Sequence, residues 1–350
     1  MAIKMALRLL PYSHELGTYC LLPRSSLRFQ IFPALVRVHE LSQNQPKLLN
    51  EIPLNVKGPV QNFTLQQDLE RGAIRVWGQA KNGFFRYRCV ANEAGDSFSL
   101  ISEKEPEGTL VLSPLPKGNP LLSRPLYECL SLGSHKSQDW TLMRRRESMR
   151  EILPHWFRLG QQVSQRAYHA LQGTTALLTK CEERVAAHER RLILPAFKDL
   201  FRAGFEGMLS PRLVDEEHQG YHLPPLSEAT PCSPLELLRR GAQMIRSLLI
   251  QSQTEGISLL PVLPSDFAFG RALNLYCQGI GRIDLEWSKG VLRRVIVHAD
   301  TDGLALFHMQ KELKNFRLKS NRCSTAAILR CSEAFSIEKG YLYFLDNFKR

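Results

Sequence analysis

The sequence has no hydrophobic run long enough to cross a membrane and no familiar catalytic signature. None of its apolar stretches reaches the ~20 residues that a membrane-spanning helix needs. The G-x-S-x-G pattern of serine hydrolases and the G-x-x-x-x-G-K-[ST] phosphate loop are both missing. A signal peptide is not expected either, because Arg8 interrupts the apolar stretch near the N-terminus. These absences favour a cytoplasmic protein and leave its chemistry open.

The chain has 8 cysteines, but no two of them have the C-x-x-C spacing that zinc sites and redox sites use. A disulfide framework is not expected either, because a chain of 350 residues is long enough to bury cores of its own. With 43% hydrophobic and 23% charged residues, the composition is that of an ordinary globular protein. We therefore expect free thiols, no metal and no other cofactor.

Acidic residues are fewer than basic ones, which leaves a formal net charge of +12. Such a charge permits attraction to nucleic acid or another polyanion, although the basic residues are spread along the sequence. The densest basic segment predicts a candidate polyanion-binding set, which is Lys311, Lys314, Arg317, Lys319 and Arg322. The other interpretation of this segment is a solvated helix or loop face. Nucleic acid is therefore one candidate partner.

Residues 1–112 have the pattern of an antiparallel β sandwich. Apolar and polar residues alternate along Leu27–Ile31 and Phe85–Cys89, which is typical of strands with one buried face. Asn82-Gly83 stands between two strand-like segments and predicts a β-hairpin. Residues 113–136 begin with a stretch rich in proline and glycine, so we expect a linker there.

Residues 137–256 predict a helical domain, because apolar residues recur at three- and four-residue steps. Pro154 falls inside the first apolar stripe and predicts a kink or a restart of the helix. The last helix is expected to begin after Ser233, an N-cap residue type followed by proline, and to end near Gly256. Alternation returns in residues 257–350 and predicts a small C-terminal β domain. The fold class is therefore a multidomain α+β protein.

The junction between the helical and C-terminal regions carries a recognisable order of motifs. A leucine- and glutamine-rich helix end, Leu248–Ser252, precedes Leu259–Pro264, which reads Leu-Leu-Pro-Val-Leu-Pro. Gly279–Gly281 and the Glu-Trp-x-x-Gly hairpin of Glu286–Gly290 follow. Over about residues 235–298, this order resembles the late barrel helix and the C-terminal β domain of the α-L-fucosidases in glycoside hydrolase family 95.

The resemblance implies an (α/α) barrel between two β domains and activity on fucosides. Such a barrel has about twelve helices, whereas residues 137–256 have room for about five or six helices of ordinary length. The family's His-Pro-Pro-Phe-Gln-x-Asp-Gly-Asn-Phe-Gly stretch is missing from the chain, so the resemblance assigns no catalytic residue. We therefore expect an incomplete barrel and a glycosidase-related protein that lacks the family's catalytic motif.

Histidine and tryptophan occur together around the predicted start of the helical domain. Aromatic rings can stack on sugars and imidazole can exchange protons near neutral pH, so this composition suits a sugar pocket. The candidate ligand-binding set is His135, Asp139, Trp140, His155 and Trp156. The other interpretation is a domain interface packed by tryptophans. The resulting hypothesis is a binding protein for a carbohydrate or another protein, rather than an enzyme.

Hydrolysis by a carboxylate pair that the motifs do not reveal is the remaining alternative. An inverting glycosidase needs two carboxyl groups ~6.5–9.5 Å apart. Asp284 and Glu286 share one face of a predicted strand, and Asp215–His218 combines three acids with a histidine. The other interpretation of Asp284 and Glu286 is the solvent-facing side of a hairpin, and that of Asp215–His218 is a solvated acidic loop.

Overall fold

The computed structural model describes the chain in six segments, which are residues 2–5, 8–112, 126–217, 219–227, 229–322 and 326–350. Most of the predicted linker, residues 113–125, lies outside these segments, as do His218 and Cys323. The described residues form an N-terminal β region, a helical region and a C-terminal β region.

The N-terminal region consists of two antiparallel sheets. Its described strands are β1 (Tyr12–Ser13), β2 (Thr18–Leu21), β3 (Leu27–Phe32), β4 (Leu35–Glu40), β5 (Lys47–Pro53), β6 (Gln61–Asp68), β7 (Ala73–Ala80), β8 (Gly83–Ala91) and β9 (Phe98–Lys104). One sheet has the order β1-β6-β7-β8-β9, and the other has the order β2-β3-β4-β5. The hairpin predicted at Asn82-Gly83 joins β7 to β8, with Ala80 opposite Gly83.

Apolar side chains of the two sheets form a common core. Phe29 of β3, Val76 of β7 and Tyr87 of β8 are fully buried. The ring of Phe29 meets the ring of Phe98 edge to face, with centroids 5.0 Å apart, and so connects the two sheets. The β sandwich predicted from the period-two pattern is confirmed.

The helical region follows the first strand of the C-terminal sheet, β10 (Cys129–Ser131). Its described elements are α1 (Trp140–Arg146), α2 (Met149–Gly160), α3 (Thr175–Ala186), α4 (Arg190–Gly204), the hairpin of β11 (Phe205–Glu206) and β12 (Ser210–Pro211), and α5 (Leu235–Leu249). Trp156 is fully buried between these helices, and its ring centroid lies 5.7 Å from that of Phe197 and 4.6 Å from that of Phe205. Aromatic side chains therefore fill the space between the helices.

Helices α2 and α5 approach each other closely because each has a glycine at the contact. A Cβ on Gly160 would lie 2.2 Å from the carbonyl oxygen of Leu238, and a Cβ on Gly241 would lie 2.4 Å from Nε1 of Trp156. The indole Nε1 donates hydrogen bonds to the carbonyls of Leu237 at 3.2 Å and Leu238 at 3.3 Å. The contact is therefore both tight and specific.

The structure corrects two details of the helices. Helix α2 continues through Pro154 without the restart that was one of the two alternatives predicted there, because it is buried along most of its length and packing outweighs the missing N–H. Helix α5 ends at Leu249 rather than near Gly256, because the next residues enter a hairpin. This hairpin pairs β13 (Ile250–Gln253) with β14 (Gly256–Leu259).

The C-terminal region is built on a seven-stranded sheet. Its remaining strands are β15 (Phe269–Cys277), β16 (Gly281–Ser288), β17 (Val291–Ala299), β18 (Gly303–Ala305), β19 (Phe307–His308), β20 (Asn315–Ser320), β21 (Ala327–Arg330), β22 (Phe335–Ile337) and β23 (Leu342–Lys349). The sheet order is β10-β15-β16-β17-β23-β20-β21, so a strand from the predicted linker supplies one edge. The α+β class, with β regions on both sides of a helical region in the sequence, is confirmed.

Candidate functional site

The structure does not bring the five residues of the predicted ligand-binding set together in one site. Asp139 caps α1, where its carboxylate accepts a hydrogen bond from a backbone N–H of the first turn at 3.1 Å. Trp140 and His155 are buried and meet edge to face, with ring centroids 6.3 Å apart. Trp156 lies in the helical core, where no ligand can reach it. His135 is exposed and belongs to another surface.

The imidazole of His155 is held between two acceptors. Its Nδ1 lies 2.8 Å from the carbonyl oxygen of Glu151, and its Nε2 lies 2.9 Å from Oε1 of Gln138. Burial lowers the pKa of His155 to about 4, although the contact with Glu151 favours the charged form. The cavity beside the ring has a volume of about 30 Å³, which is room for one water molecule and not for a sugar.

A wider groove, which we call the junction groove, lies where the loop after β10 and the start of α2 meet the C-terminal sheet. Its volume is about 590 Å³. The described residues that line it are Ser131, Leu132, Gly133, His135, Arg150, Phe269, Gly270, Arg271, Glu286, Trp287, Ser288 and Arg293. Phe269 is 54% exposed, whereas Trp287 is buried. His135 is the member of the predicted set that lines this groove.

Sequence reasoning missed most of the junction groove, including Arg150, Phe269 and Arg293. They come from α2, β15 and β17, and tertiary packing brings them together. One local signal was available for Phe269. Gly270 faces the core, so Phe269 and Arg271, on either side of it in β15, lie on the exposed face of the strand. Packing of the core does not explain an aromatic residue on the exposed, polar face of a strand.

A row of alternating charges, the charge row, crosses the outer face of the C-terminal sheet beside this groove. Residues directly opposite one another on successive strands form it, and they are Arg271, Glu286, Arg294, Asp346 and Arg317. Glu286 accepts hydrogen bonds from Nε of Arg271 at 2.9 Å and Nε of Arg294 at 2.5 Å. Partial burial raises the pKa of Glu286, but these two hydrogen bonds outweigh burial and hold the pKa below its ordinary value.

Three other carboxylates considered from the sequence, Asp284, Asp215 and Glu217, also have partners. Asp284 is buried rather than solvent-facing, accepts a backbone N–H of β15 at 2.8 Å and lies 3.0 Å from Nε2 of His298. In the acidic loop, guanidinium nitrogens of Arg212 lie 3.3 Å from Asp215 and 3.4 Å from Glu217. These acids therefore stabilise the fold through ion pairs and hydrogen bonds.

Two members of the predicted polyanion-binding set are paired with acids. Arg317 donates to both carboxylate oxygens of Asp346, at 2.7 Å from Nε and 3.0 Å from Nη2. Arg322 forms an ion pair with Glu338. Lys319 lies on the same strand as Arg317, and its charge also acts on Asp346. The charge of this part of the set is therefore largely compensated locally.

Lys311 lies apart from those residues, in a second groove of about 560 Å³. This groove is also lined by Arg190 and Arg191 from the start of α4 and by His308. Lys314 is exposed. The structure therefore distributes the predicted set over more than one surface.

Metal-binding and membrane-spanning features were sought over the six described segments. No group of three or more histidine, cysteine, aspartate or glutamate side chains lies together there in a way that could hold a metal ion. None of the helices in these segments is long and apolar enough to cross a membrane.

Comparison with known protein families finds a match in the C-terminal region. A search of curated proteins found none that matches the chain. A family model described as glycoside hydrolase family 95, C-terminal domain, matches residues 251–345, about a quarter of the chain. The match includes β15–β17 and the hairpin whose motif carried the resemblance in the sequence. The C-terminal β region is therefore similar to the C-terminal domain of glycoside hydrolase family 95.

Proposed function

We propose that the protein binds a carbohydrate in the junction groove and does not hydrolyse it. The main support is the lowered pKa of Glu286, which is the one acid among the described residues that line this groove. The general acid of a glycosidase must hold a proton near neutral pH, which requires a raised pKa. The pKa of Glu286 is instead lowered, and both its oxygens accept hydrogen bonds from guanidinium groups.

Among the described residues, the interior of the helical region offers no alternative chamber. Trp156, Phe197 and Phe205 pack together there, and the contact between α2 and α5 leaves no room even for a methyl group at Gly241. The described segments contain five helices, whereas the family's barrel has about twelve. An accessible ligand site therefore has to lie on the surface.

The junction groove has the composition of a sugar site. Its volume of about 590 Å³ lies within the ~300–1,000 Å³ that small-molecule sites occupy. Phe269 offers an exposed apolar face for a sugar ring. Arg150 and Arg293 offer planar guanidinium donors. Together with Arg271 they give the groove three arginines against one acid, Glu286. We expect a sugar that carries a carboxylate to bind more tightly than a neutral one.

Isothermal titration calorimetry with oligogalacturonate and 2′-fucosyllactose tests the proposal. Oligogalacturonate should bind the wild type, and Phe269→Ala should weaken that binding at least fivefold because it removes the stacking surface. Tyr276→Ala is the matched control, since Tyr276 lies on the same strand, is 58% exposed and is outside the groove. Equal affinity in the wild type and Phe269→Ala would reject the junction groove.

The absence of hydrolysis is tested separately with p-nitrophenyl fucoside and galactoside. We expect no product above the rate in buffer. Turnover that Glu286→Gln abolishes would show that this carboxylate is catalytic and would overturn the proposal.

Binding of a polyanion is the second candidate function, and the groove that contains Lys311 supports it. Arg190, Arg191 and His308 share this groove, in which Lys311 and the two arginines outnumber Glu312. A single-stranded dT20 oligonucleotide should then form a complex that weakens as salt rises, because phosphate contacts release counterions. Lys311→Gln together with Arg191→Gln should weaken the complex, whereas a complex that resists both the variants and salt would exclude this groove.

A further inference from the structure

The outer face of the N-terminal five-stranded sheet carries Trp77, the one tryptophan of the chain that is not buried. Trp140, Trp156 and Trp287 are at most 3% exposed, whereas Trp77 is half-buried. Trp77 lies on β7 in the same phase as Arg75, so its ring is on the face away from the sandwich core. Core packing therefore does not account for this large ring.

Strand register places a second aromatic residue beside it. Trp77 is opposite Thr64 on β6 and opposite Arg86 on β8. Phe84 precedes Arg86 by two residues on β8 and shares its exposed face, which makes Phe84 a diagonal neighbour of Trp77. Diagonal neighbours on a sheet are within reach of each other when their side chains are aromatic. Both residues line the same groove.

Polar side chains surround these rings in a groove of about 600 Å³. The described residues that line this surface, which we call the Trp77 face, are Gln66, Arg75, Trp77, Phe84, Arg86 and Glu103. Oε2 of Glu103 lies 2.9 Å from Nε of Arg86. A guanidinium nitrogen of Arg75 lies 3.9 Å from Asp68, a distance longer than a direct hydrogen bond. Arg75 can therefore still donate to a ligand.

We propose that the Trp77 face is a second carbohydrate site and that it binds a neutral oligosaccharide. The aromatic rings match the apolar faces of sugar rings. Gln66 and Glu103 add acceptors to the donors of Arg75, and sugar hydroxyl groups need both. The carboxylate of Glu103 compensates the charge of Arg86, so this face attracts polyanions less than a purely basic groove does. It shares no residue with the junction groove, so the proposal is independent of that site.

Trp77 supplies its own reporter, because acrylamide quenches an accessible indole more strongly than the three buried ones. Cellohexaose, chitohexaose and a xyloglucan heptasaccharide are added in turn while tryptophan fluorescence is quenched with acrylamide. At least one of them should reduce quenching in the wild type and should leave quenching unchanged in Trp77→Phe. If none of the three reduces quenching in the wild type, the proposal is wrong.

Calorimetry with the protecting saccharide then measures the contributions of single side chains. Affinity should fall at least tenfold in Trp77→Ala and at least threefold in Arg75→Met, which keeps the aliphatic stem. Gln79→Ala is the matched control, since Gln79 is exposed on the same strand but does not line the groove. Its affinity should stay within twofold of the wild type. Arg75→Met remains informative even if Trp77→Ala does not fold, and an unchanged affinity in Arg75→Met would contradict the proposal.

Two further outcomes distinguish this site from its alternatives. In Phe269→Ala, which disables the junction groove, the saccharide should still protect Trp77 fully from acrylamide. Loss of this protection in Phe269→Ala would show that the two sites are not separate. Protection of Trp77 by dT20 that disappears as salt rises, without protection by any of the saccharides, would assign the face to nucleic acid instead.

Discussion

Replacement of Gly241 by alanine tests whether the helical core is filled. Gly241 lies inside α5, where alanine ordinarily stabilises a helix by ~1 kcal/mol relative to glycine. A Cβ at this position would lie 2.4 Å from Nε1 and 2.5 Å from Cε2 of Trp156. Helix propensity and packing therefore predict opposite signs for the same substitution.

Packing should prevail, because the indole of Trp156 has no room to move. Its Nε1 is hydrogen-bonded to the carbonyls of Leu237 and Leu238, and its ring contacts Phe197 and Phe205. Overpacking of a core costs about 1–3 kcal/mol, and loss of the indole hydrogen bonds costs about 1 kcal/mol more. After the gain in propensity is subtracted, the free energy of unfolding should fall by about 1–3 kcal/mol.

Thermal unfolding followed by circular dichroism measures this effect as a lower Tm. Gln243→Ala, at an exposed position two residues further along α5, changes helix propensity without a clash and should not lower the Tm. Trp156→Phe in the Gly241→Ala background removes the clashing edge and should give a coupling energy of at least about 1 kcal/mol. A Gly241→Ala protein more stable than the wild type would refute the filled core and reopen the helical interior as a ligand chamber.

Four other side chains give sharp expectations. Burial lowers the pKa of His155 from 6.5 to about 4, so the stabilisation from burying the neutral ring is complete above pH 6.5 and is lost as the pH falls toward 4. Urea unfolding should show that, between pH 7.5 and pH 4.5, the free energy of unfolding of the wild type falls by up to about 3 kcal/mol more than that of His155→Gln. An NMR titration that finds His155 charged at pH 7 would contradict this expectation. Glu286→Gln leaves the guanidinium groups of Arg271 and Arg294 without their shared carboxylate, so the free energy of unfolding should fall by about 1 kcal/mol and the Tm should fall with it. An unchanged Tm would show that the charge row contributes nothing to stability. Burial raises the pKa of the Cys20 and Cys89 thiols, so neither should react with iodoacetamide at pH 8 until urea unfolds the protein; peptide mass spectrometry detects the labelling, and modification of the folded protein would contradict the burial.

The parts of the fold that could be predicted have local signals. Asn82-Gly83 and Lys289-Gly290 each stand between alternating segments, and each marks a hairpin between two paired strands; the turn residues are Lys81-Asn82 in the first and Lys289-Gly290 in the second. Lys289 and Gly290 have φ angles of 55° and 72°, as a two-residue hairpin turn requires. The hydroxyl of Ser233 accepts the backbone N–H of Leu235 at 3.2 Å, which is also a contact between near neighbours in sequence. Signals of this kind need no knowledge of the rest of the chain.

The end of α5 depends on distant residues and could not be predicted in this way. Helix and hairpin meet at Leu249, and β14 of that hairpin also pairs in parallel with β19, from Phe307 to His308. The pairing with β19 helps to fix the end of the helix, and it joins residues about fifty positions apart. Gly256 is therefore not a helix terminator but the first residue of a strand.

The candidate site could be predicted only in part, for a related reason. Trp156 fits the apolar stripe of α2, and its burial follows from that stripe rather than from a ligand site. The more informative signal is an aromatic residue in the polar phase of a strand. Phe269 beside Arg271 and Trp77 beside Arg75 both have it, and both line open grooves. The partners of these residues come from other elements and are not visible in any local pattern.

The residues that carry the resemblance to glycoside hydrolase family 95 have structural roles in this chain. The indole of Trp287 lies on Gly270, where a Cβ would come within 2.1 Å of the ring, and its Nε1 donates to the carbonyl of Phe267 at 2.8 Å. Glu286 joins two arginines across the sheet, and Lys289-Gly290 forms the turn. Packing, ion pairing and turn geometry therefore account for the hairpin motif without any reaction. The resemblance therefore predicts the fold of this region, whereas the two proposed carbohydrate sites depend on exposed aromatic residues outside the motif.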